Sequence, residues 1–496
     1  MDIVTLLGLT AALIAIIEFL YISFKKFKRP REVRIYDTSS SSDGDMYADL
    51  NGACNLSFYG LELKTMAQIL GNTLNGNGLS KALNIKIYYA KLDDGKIWLG
   101  ERFRPSVLES LKDVAALVSS QSFKSKTRID LKVDAYIRSH HTTYAGCSID
   151  KKIIYVVHFT SGDDVGNKDG VTLRLHAVSS GEFERKLFRT YISSHEKTES
   201  KAIRFVGFRR TVWDESTTQW KKFTDNCEAH QENMAKLATS LSLNDGMNVL
   251  ELASGNGMLA SLIGDQNAHV CLFLTDNSGQ MIKSCTHAIN NISASVLFFD
   301  PLENGHNWQE FFPENTCFDR IVSHLSFPFP EMRFEDFHRI IDFMRTALRN
   351  DGSVHISIHN TAIQIEGDAY NKESDEFRAA LISAFQDKFG VSILKYCQHK
   401  TISVADFEAA FLQKGFLVSS SRLEEYAFTM HDRIRMWSTP AILNSLFHIE
   451  KCNLDHVAEI MDKMLRRFGN EETLPMKTVT YVFSKSSNGV HNNAIH

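Results

Sequence analysis

The sequence predicts an α/β fold: a doubly wound, mostly parallel sheet in the C-terminal half, preceded by an α+β module and an N-terminal apolar helix. Three observations point there. Asn248-Val-Leu-Glu-Leu-Ala-Ser-Gly-Asn-Gly-Met-Leu259 reads as a buried strand, a Gly-containing turn and the first turn of a helix. Four later apolar runs, ending at Asp276, Asp300, His324 and His359, repeat the strand pattern with a polar residue at the C-terminal end. Ile3 to Phe24 is an apolar run of bilayer-spanning length, followed at once by Lys25, Lys26, Lys28, Arg29 and Arg31.

The 496 residues are enough for two or three domains. With 43% apolar and 23% charged residues the chain has a globular composition, and a formal charge of -4 argues against a general nucleic-acid binder. Eight scattered cysteines, without a C-x-x-C pair, read as reduced thiols, Cys271 among them on a strand expected to be buried.

In chain order, residues 1–24 read as a membrane anchor. A secretory signal carries its positive charge before the apolar run and a small-residue cleavage site after it, whereas here the charge follows. The basic flank belongs on the cytoplasmic side, giving a single-pass protein with residues 25–496 in the cytosol, the endoplasmic reticulum being the membrane assumed. Residues 25–45 are a basic, Ser-rich linker. Residues 46–205 form the α+β module, of unassigned role. A helix is expected over Leu61–Leu74 and another over Val107–Val118. Asp93-Asp94-Gly95 looks like a hairpin turn between Ile85–Leu92 and Lys96–Leu99. Strands are expected over Arg128–Ile137, Ile153–Phe159 and Val171–Val178. His140, His141 and Cys147 lack a fourth ligand, and no metal is assigned.

The domain over 206–486 opens with a helical lead-in, Trp213 to Leu243, carrying His230 and Gln231. Strands follow at Val249–Leu252, Val270–Asp276, Ser295–Asp300, Phe318–His324 and Ser353–His359, the last after a turn at Asn350-Asp351-Gly352. Polar groups at the C-terminal ends of such strands line the edge where open α/β sheets bind ligands. Helices are expected over 374–389 and 403–413, then two strands, Phe416–Ser421 and Met476–Phe483, separated by a helical insert over Arg433–Phe468. Residues 487–496 read as a disordered tail.

Glu251-Leu-Ala-Ser-Gly-Asn-Gly257, Thr275-Asp-Asn-Ser-Gly-Gln-Met281, Phe299-Asp300 and Leu348-Arg-Asn-Asp-Gly352 together resemble the motifs of the class I S-adenosylmethionine-dependent methyltransferases, of small-molecule type. The resemblance covers Val212 to Ser484. It departs at Ala253, where the family has its first Gly, and at Asn350-Asp351, where it has Lys-Pro. It implies a Rossmann-like, seven-stranded sheet whose sixth strand is parallel and seventh antiparallel, and S-adenosyl-L-methionine as cofactor. By the same resemblance Glu251, Ala253, Ser254, Gly255, Gly257, Asp276, Asn277, Met281, Phe299, Asp300 and Ser323 are cofactor-binding. In particular, Asp276 would hold the ribose hydroxyls and Asp300 the adenine amine, and a polar or aromatic group of the lead-in helix would lid the cofactor.

The fourth strand ends Ser323-His-Leu-Ser-Phe-Pro-Phe329 and lacks the Asn/Asp-Pro-Pro-Tyr/Phe pattern of base and amide methylation. His324 and His359 stand at strand ends on the ligand edge as candidate catalytic groups, since imidazole titrates near neutrality. Trp437, Leu443, Leu446 and Phe447 of the insert are candidate lining for an apolar acceptor pocket. The leading expectation is a membrane-anchored methyltransferase acting on a small or lipid-like acceptor, preferentially at oxygen. Its alternatives are a catalytically inactive membrane scaffold and a protein methyltransferase.

Overall fold

The structure is a computed structural model. It describes residues 34–36, 49, 53–60, 83–90, 100–121, 131–138, 145–159, 170–178, 181–208, 211–266, 269–289, 294–313, 315–327, 334–359, 363–364, 372–394, 402–470 and 473–486. The expected membrane span, the Leu61–Leu74 helix, His140, His141 and the C-terminal tail lie outside the described residues; of the expected linker only Arg34–Tyr36 is described, and it is not a tether but a strand paired with Thr172–Arg174. Among the described residues no helix is long and apolar enough to cross a membrane.

The chain divides into two compact units. The first comprises the residues up to Ser110 together with Ser125–Phe208. Its strands are β1 (Arg34–Tyr36), β2 (Asn55–Gly60), β3 (Leu83–Ala90), β4 (Leu131–Arg138), β5 (Ala145–Ile149), β6 (Ile153–Phe159), β7 (Gly170–His176) and β8 (Ile203–Phe208). They form one mixed sheet in the order β1-β7-β6-β5-β2-β3-β4-β8. The turn expected at Asp93-Asp94-Gly95 and the strand expected after it lie outside the described residues. Both edges of β3 are taken by parallel partners, β2 and β4. Helix α1 (Gly100–Gln121) contains the expected Val107–Val118 segment, and α2 (Glu182–Lys201) precedes β8. Ile154, Val156, Leu173 and Leu175 alternate inward on β6 and β7 and pack with Phe188 and Tyr191 of α2.

The second unit holds Leu111–Lys124 and the chain from Arg209 onward. Its lead-in is two helices, α3 (Val212–Asn226) and α4 (Glu228–Ser240). There follow β9 (Asn248–Leu252), α5 (Met258–Gln266), β10 (Cys271–Asp276), α6 (Gly279–Ala288), β11 (Ala294–Phe298), α7 (Pro301–Asn304), β12 (Phe318–His324), α8 (Phe334–Ala347) and β13 (Leu348–His359). After β14 (Ile363–Gln364) come α9 (Lys372–Phe389), β15 (Ile402–Ser403), α10 (Val404–Gln413), β16 (Phe416–Thr429), α11 (Met430–Trp437), α12 (Pro440–Leu443), α13 (Leu454–Phe468) and β17 (Thr473–Lys485).

The main sheet runs β11-β10-β9-β12-β13-β17-β16. The first five strands pair in parallel, and β17 inserts antiparallel between β13 and β16. The order reverses direction between β9 and β12, so the ends of these two strands bracket the switch point at which open α/β sheets bind ligands. Val249, Leu250, Leu252, Leu272 and Leu274 are fully buried, as strands covered on both faces require. Cys271, expected inside, is exposed because it opens β10 at the sheet's opposite end. The expected Asn350-Asp351-Gly352 turn is instead drawn into β13, with a register shift against β12. Gly352 allows this: a Cβ there would stand 3.0 Å from the Asp319 carbonyl.

The insert between β16 and β17 is a hydrophobic layer of its own. Val457, Ile460, Met461 and Met464 recur along α13 at helical spacing and pack with Phe377, Leu381 and Phe385 of α9. Leu443 and Phe447, proposed above as pocket lining, are buried in this cluster, and Trp437 and Leu446 pack against it. The Phe447 ring stacks on Phe385 at 4.0 Å. Four apolar side chains satisfied by a neighbouring helix have no need of a ligand, and this support for an acceptor pocket falls away.

Candidate active site

The turn after β9 bends through three left-handed residues, Ala253 (φ 54°), Gly255 (φ 56°) and Gly257 (φ 80°). The turn needs glycine at the last of them for a second reason, since a Cβ on Gly257 would lie 2.9 Å from Cys285 Sγ. Ala253 takes the same conformation at a steric cost. The turn is pinned to β10: the Ser254 N–H and Oγ–H both donate to the Thr275 carbonyl, at 2.9 and 3.3 Å. Thr275 Oγ1 in turn donates to the Glu251 carbonyl at 2.8 Å.

Asp276 closes the loop. Its Oδ2 accepts from the Gly255 N–H at 3.0 Å and its Oδ1 from the Ser278 N–H at 2.8 Å. Each oxygen keeps a lone pair for another donor. Burial pushes its carboxyl up to about 6, against the pull of those two N–H groups and with a further push from the charge of Asp214. Glu251, 3% exposed, is the more extreme case. No polar atom of the described residues reaches its Oε2, and burial, with the nearby Asp276 charge, raises it to about 8. Two carboxyls at the mouth of one glycine turn, one with an orphaned oxygen, suit a ligand that brings positive charge and hydroxyl donors.

Asp300 caps α7, accepting from the Leu302 N–H at 2.9 Å, and takes a second bond from Asn277 Nδ2 at 3.2 Å. The sequence-predicted pair Asn277 and Asp300 therefore meet across the ends of β10 and β11. Met281 is buried in the first turn of α6, its N–H held at 3.1 Å by the Ser278 side chain. Phe299 is brought to the same edge by sequence but turns its ring into the core, 5.2–5.6 Å from the rings of Phe311, Phe312 and Phe343. Ser323, 1% exposed, spends its hydroxyl on Ser326 at 3.0 Å.

Several site residues escaped the sequence reading. Asp214 of α3 accepts from Thr211 N (2.7 Å), Ser278 Oγ (2.7 Å) and Gln280 N (3.3 Å), tying the lead-in helix to the turn that carries Asp276. Thr211-x-x-Asp214 has the spacing of a capping box and was the available signal. Thr224 Oγ1 accepts from Asn256 Nδ2 at 2.7 Å, and Trp220 Nε1 lies 3.6 Å from where a Cβ on Gly255 would stand. Nothing local marks Trp220 or Thr224. Gly279 is needed because a Cβ there would meet the Ala115 carbonyl at 2.3 Å, a contact from a residue more than 160 positions away.

The lead-in histidine and the strand-end histidines come together. The ring of His230 stands 5.0 Å from that of His324, 5.6 Å from Trp220 and 5.1 Å from Phe223. His359 is close enough to His230 for its charge to disfavour protonation there, adding to the dominant effect of burial, which takes His230 down to about 3. His324 is likewise lowered well below the usual imidazole range by burial and by His230. His324 Nε2 is 2.6 Å from Asn233 Oδ1, which also accepts from Ser357 Oγ at 3.2 Å. Asn233 Nδ2 donates to Thr478 Oγ1 at 3.0 Å. Gln231 faces elsewhere and caps α3, donating to the Thr224 and Asp225 carbonyls.

No protein-family model matches the chain, and no curated protein matches it. Among solved structures it is similar to a putative methyltransferase from Bacillus halodurans, at 13% identity over 52% of this chain and 100% of that one, with a TM-score of 0.33. A SAM-dependent methyltransferase from Geobacter sulfurreducens in complex with S-adenosyl-L-homocysteine is similar at 11% identity over 51% and 90% of the two chains, with a TM-score of 0.32. A cyclopropane synthase from Mycobacterium tuberculosis is similar at 13% over 51% and 83%, with a TM-score of 0.33. The fold itself is defined by the strand order and register of the sheet. Five parallel strands with an antiparallel seventh between the fifth and sixth are the mixed α/β sheet implied by the resemblance to class I S-adenosylmethionine-dependent methyltransferases.

Proposed function

We propose that the second unit is an S-adenosylmethionine-dependent methyltransferase. The observation that carries this reading is the joining of the left-handed turn at Ala253–Gly257 to two buried carboxyls, Glu251 and Asp276, at the switch point of the sheet. The methyl sulfonium supplies an activated electrophile, so the protein needs no covalent nucleophile. What it must provide is position and exclusion of water. In this reading the backbone of Ala253–Gly257 receives the methionine portion, and the free lone pairs of Asp276 accept the ribose hydroxyls. The Asn277–Asp300 pair meets the adenine edge. Glu251 offers its unpaired oxygen to the cationic end of the ligand. Trp220 and Thr224, on the helix over the turn, exclude solvent from above.

The acceptor in this proposal is a small, lipophilic molecule methylated on oxygen, with the enzyme held at a membrane by residues 1–24. The apolar run and its basic flank support the anchor. The absence of a Pro-Pro pair after β12, together with the neutral imidazoles of His230 and His324, supports oxygen over amide or base nitrogen. Purified protein would be incubated with methyl-labelled S-adenosylmethionine and a lipid extract, and the product then treated with mild base. Label in a neutral extractable product, released as methanol where it is an ester, is expected. Label in a base-stable cationic product would move the acceptor to nitrogen, and label confined to polypeptide would make this a protein methyltransferase.

A further inference from the structure

We propose that His230 is the acceptor-site base, receiving through Nδ1 the proton of a neutral aromatic or lipophilic hydroxyl. This rests on the methyltransferase reading above and specifies its acceptor.

The three histidines of the site are not equivalent. His324 is committed: its Nε2 is bound to Asn233 Oδ1, and Asn233 is locked by Ser357 and Thr478. His230 is 1% exposed, yet no polar atom of the described residues reaches its Nδ1. A buried ring nitrogen left without a partner costs stability, and such a cost persists where a ligand relieves it. The position is also right. The Trp220 ring is in edge contact with His230 at 5.6 Å, and its Nε1 borders the cofactor turn at Gly255. His230 is therefore one indole away from the group that would hold the methyl donor.

The surroundings select the acceptor's charge. His230 is walled by Trp220, Phe223 and the His324 ring, with Phe428 behind Phe223 at 6.1 Å. Besides burial, the charge that acts on the His230 ring is that of His359. Glu251 and Asp276 are acidic, and Lys236, over the Tyr426 ring at 4.6 Å, is paired with Glu232 and Glu424. A carboxylate would find no free cation among these side chains. A neutral hydroxyl finds an aromatic wall and an acceptor nitrogen. On transfer, the acceptor oxygen forms its bond to the methyl carbon, the carbon–sulfur bond breaks with its electron pair left on sulfur, and the hydroxyl proton passes to Nδ1. The protonated ether is a far stronger acid than an imidazolium, so even a base of depressed pKa takes this proton.

The test uses the full chain with 15N-labelled histidine, saturated with S-adenosylhomocysteine, and two probes that differ by the donor alone, phenol and anisole. The His230 signals are identified by their loss in His230→Gln. Phenol is expected to shift the His230 Nδ1 resonance saturably and anisole to leave it in place. No shift with phenol, or an equal shift with anisole, overturns the proposal. Heat of S-adenosylhomocysteine binding, measured on the same sample, separates the two levels. Binding without a phenol response removes the role of His230 alone, whereas absence of binding removes the cofactor reading and this inference with it.

Discussion

Glu251 concentrates the chemistry of the site in one side chain. Its carboxyl is raised to about 8, so the folded protein holds a proton there that the unfolded chain releases near 4.5. The stability this gives is complete below the unfolded value and is lost as pH rises through about 8. Ionising it without a partner costs on the order of 5 kcal/mol. Glu251→Gln should therefore raise the melting temperature at pH 9 by several degrees and change it little at pH 5; equal melting at both would show that Glu251 has a partner. The same proton gives the cofactor a pH dependence. A cationic ligand favours the ionised carboxylates, so its affinity should rise between pH 6 and 8, the range of Asp276 and Glu251, and flatten at the upper end in Glu251→Gln. Titrations at fixed ionic strength check this, and a fall in affinity over that range would contradict it. Asp276 calls for a gentler change. Alanine there would orphan the N–H groups of Gly255 and Ser278, at about 1–3 kcal/mol each, and mix loop collapse with lost binding. Asp276→Asn keeps an acceptor and should weaken S-adenosylmethionine by at least about tenfold with melting within a few degrees of the parent. At this scale the sequence was readable where a motif fixed the residue, as at Asp276 and Gly257. Phe299 was misleading, because a strand-end position says nothing of which way a ring turns. Asp214 showed only through its capping-box spacing, and Trp220 and Asn233 were invisible, because they act across distances of tens to hundreds of residues.

At the scale of elements, the turn between β9 and α5 is the part whose conformation the ligand depends on most. Ala253 occupies a left-handed position at φ 54° that costs an L-residue about 1–2 kcal/mol. Ala253→Gly should relieve this, stabilising the protein by up to about 1 kcal/mol without weakening the cofactor. A denaturant midpoint that falls, or a lost affinity, would mean that the alanine methyl has a packing role. Gly257→Ala should do the reverse, since its Cβ would press on Cys285. The strands and helices of this unit were legible because each is a clean apolar run or a helical stripe, as with Val457, Ile460, Met461 and Met464. The partners of β3 were not, because turn chemistry is local while its two edges are taken by the distant strands β2 and β4. The pocket expected around Trp437–Phe447 failed for a related reason: an apolar helix face has the same sequence whether it covers a ligand or α9.

For the whole molecule, the sequence specified the class of the second sheet through five strands with polar ends. The first unit was legible only as α+β, since its eight-stranded order depends on pairings that no short-range signal encodes. The proposed anchor is tested at this scale as well. Deletion of residues 1–24 should move the protein from the membrane pellet to the supernatant, and protease should digest the intact protein on sealed microsomes without detergent. Protection until detergent is added would place the enzyme on the lumenal side. The central claim is that the turn at Ala253–Gly257, with Glu251 and Asp276, binds S-adenosylmethionine. Isothermal titration of the purified full chain with S-adenosylmethionine at pH 8 tests it most directly. The account predicts saturable binding near one equivalent, weakened at least about tenfold by Asp276→Asn. No heat at high protein concentration, or binding that Asp276→Asn leaves unchanged in a folded protein, would contradict it and leave a cofactor fold serving as a scaffold.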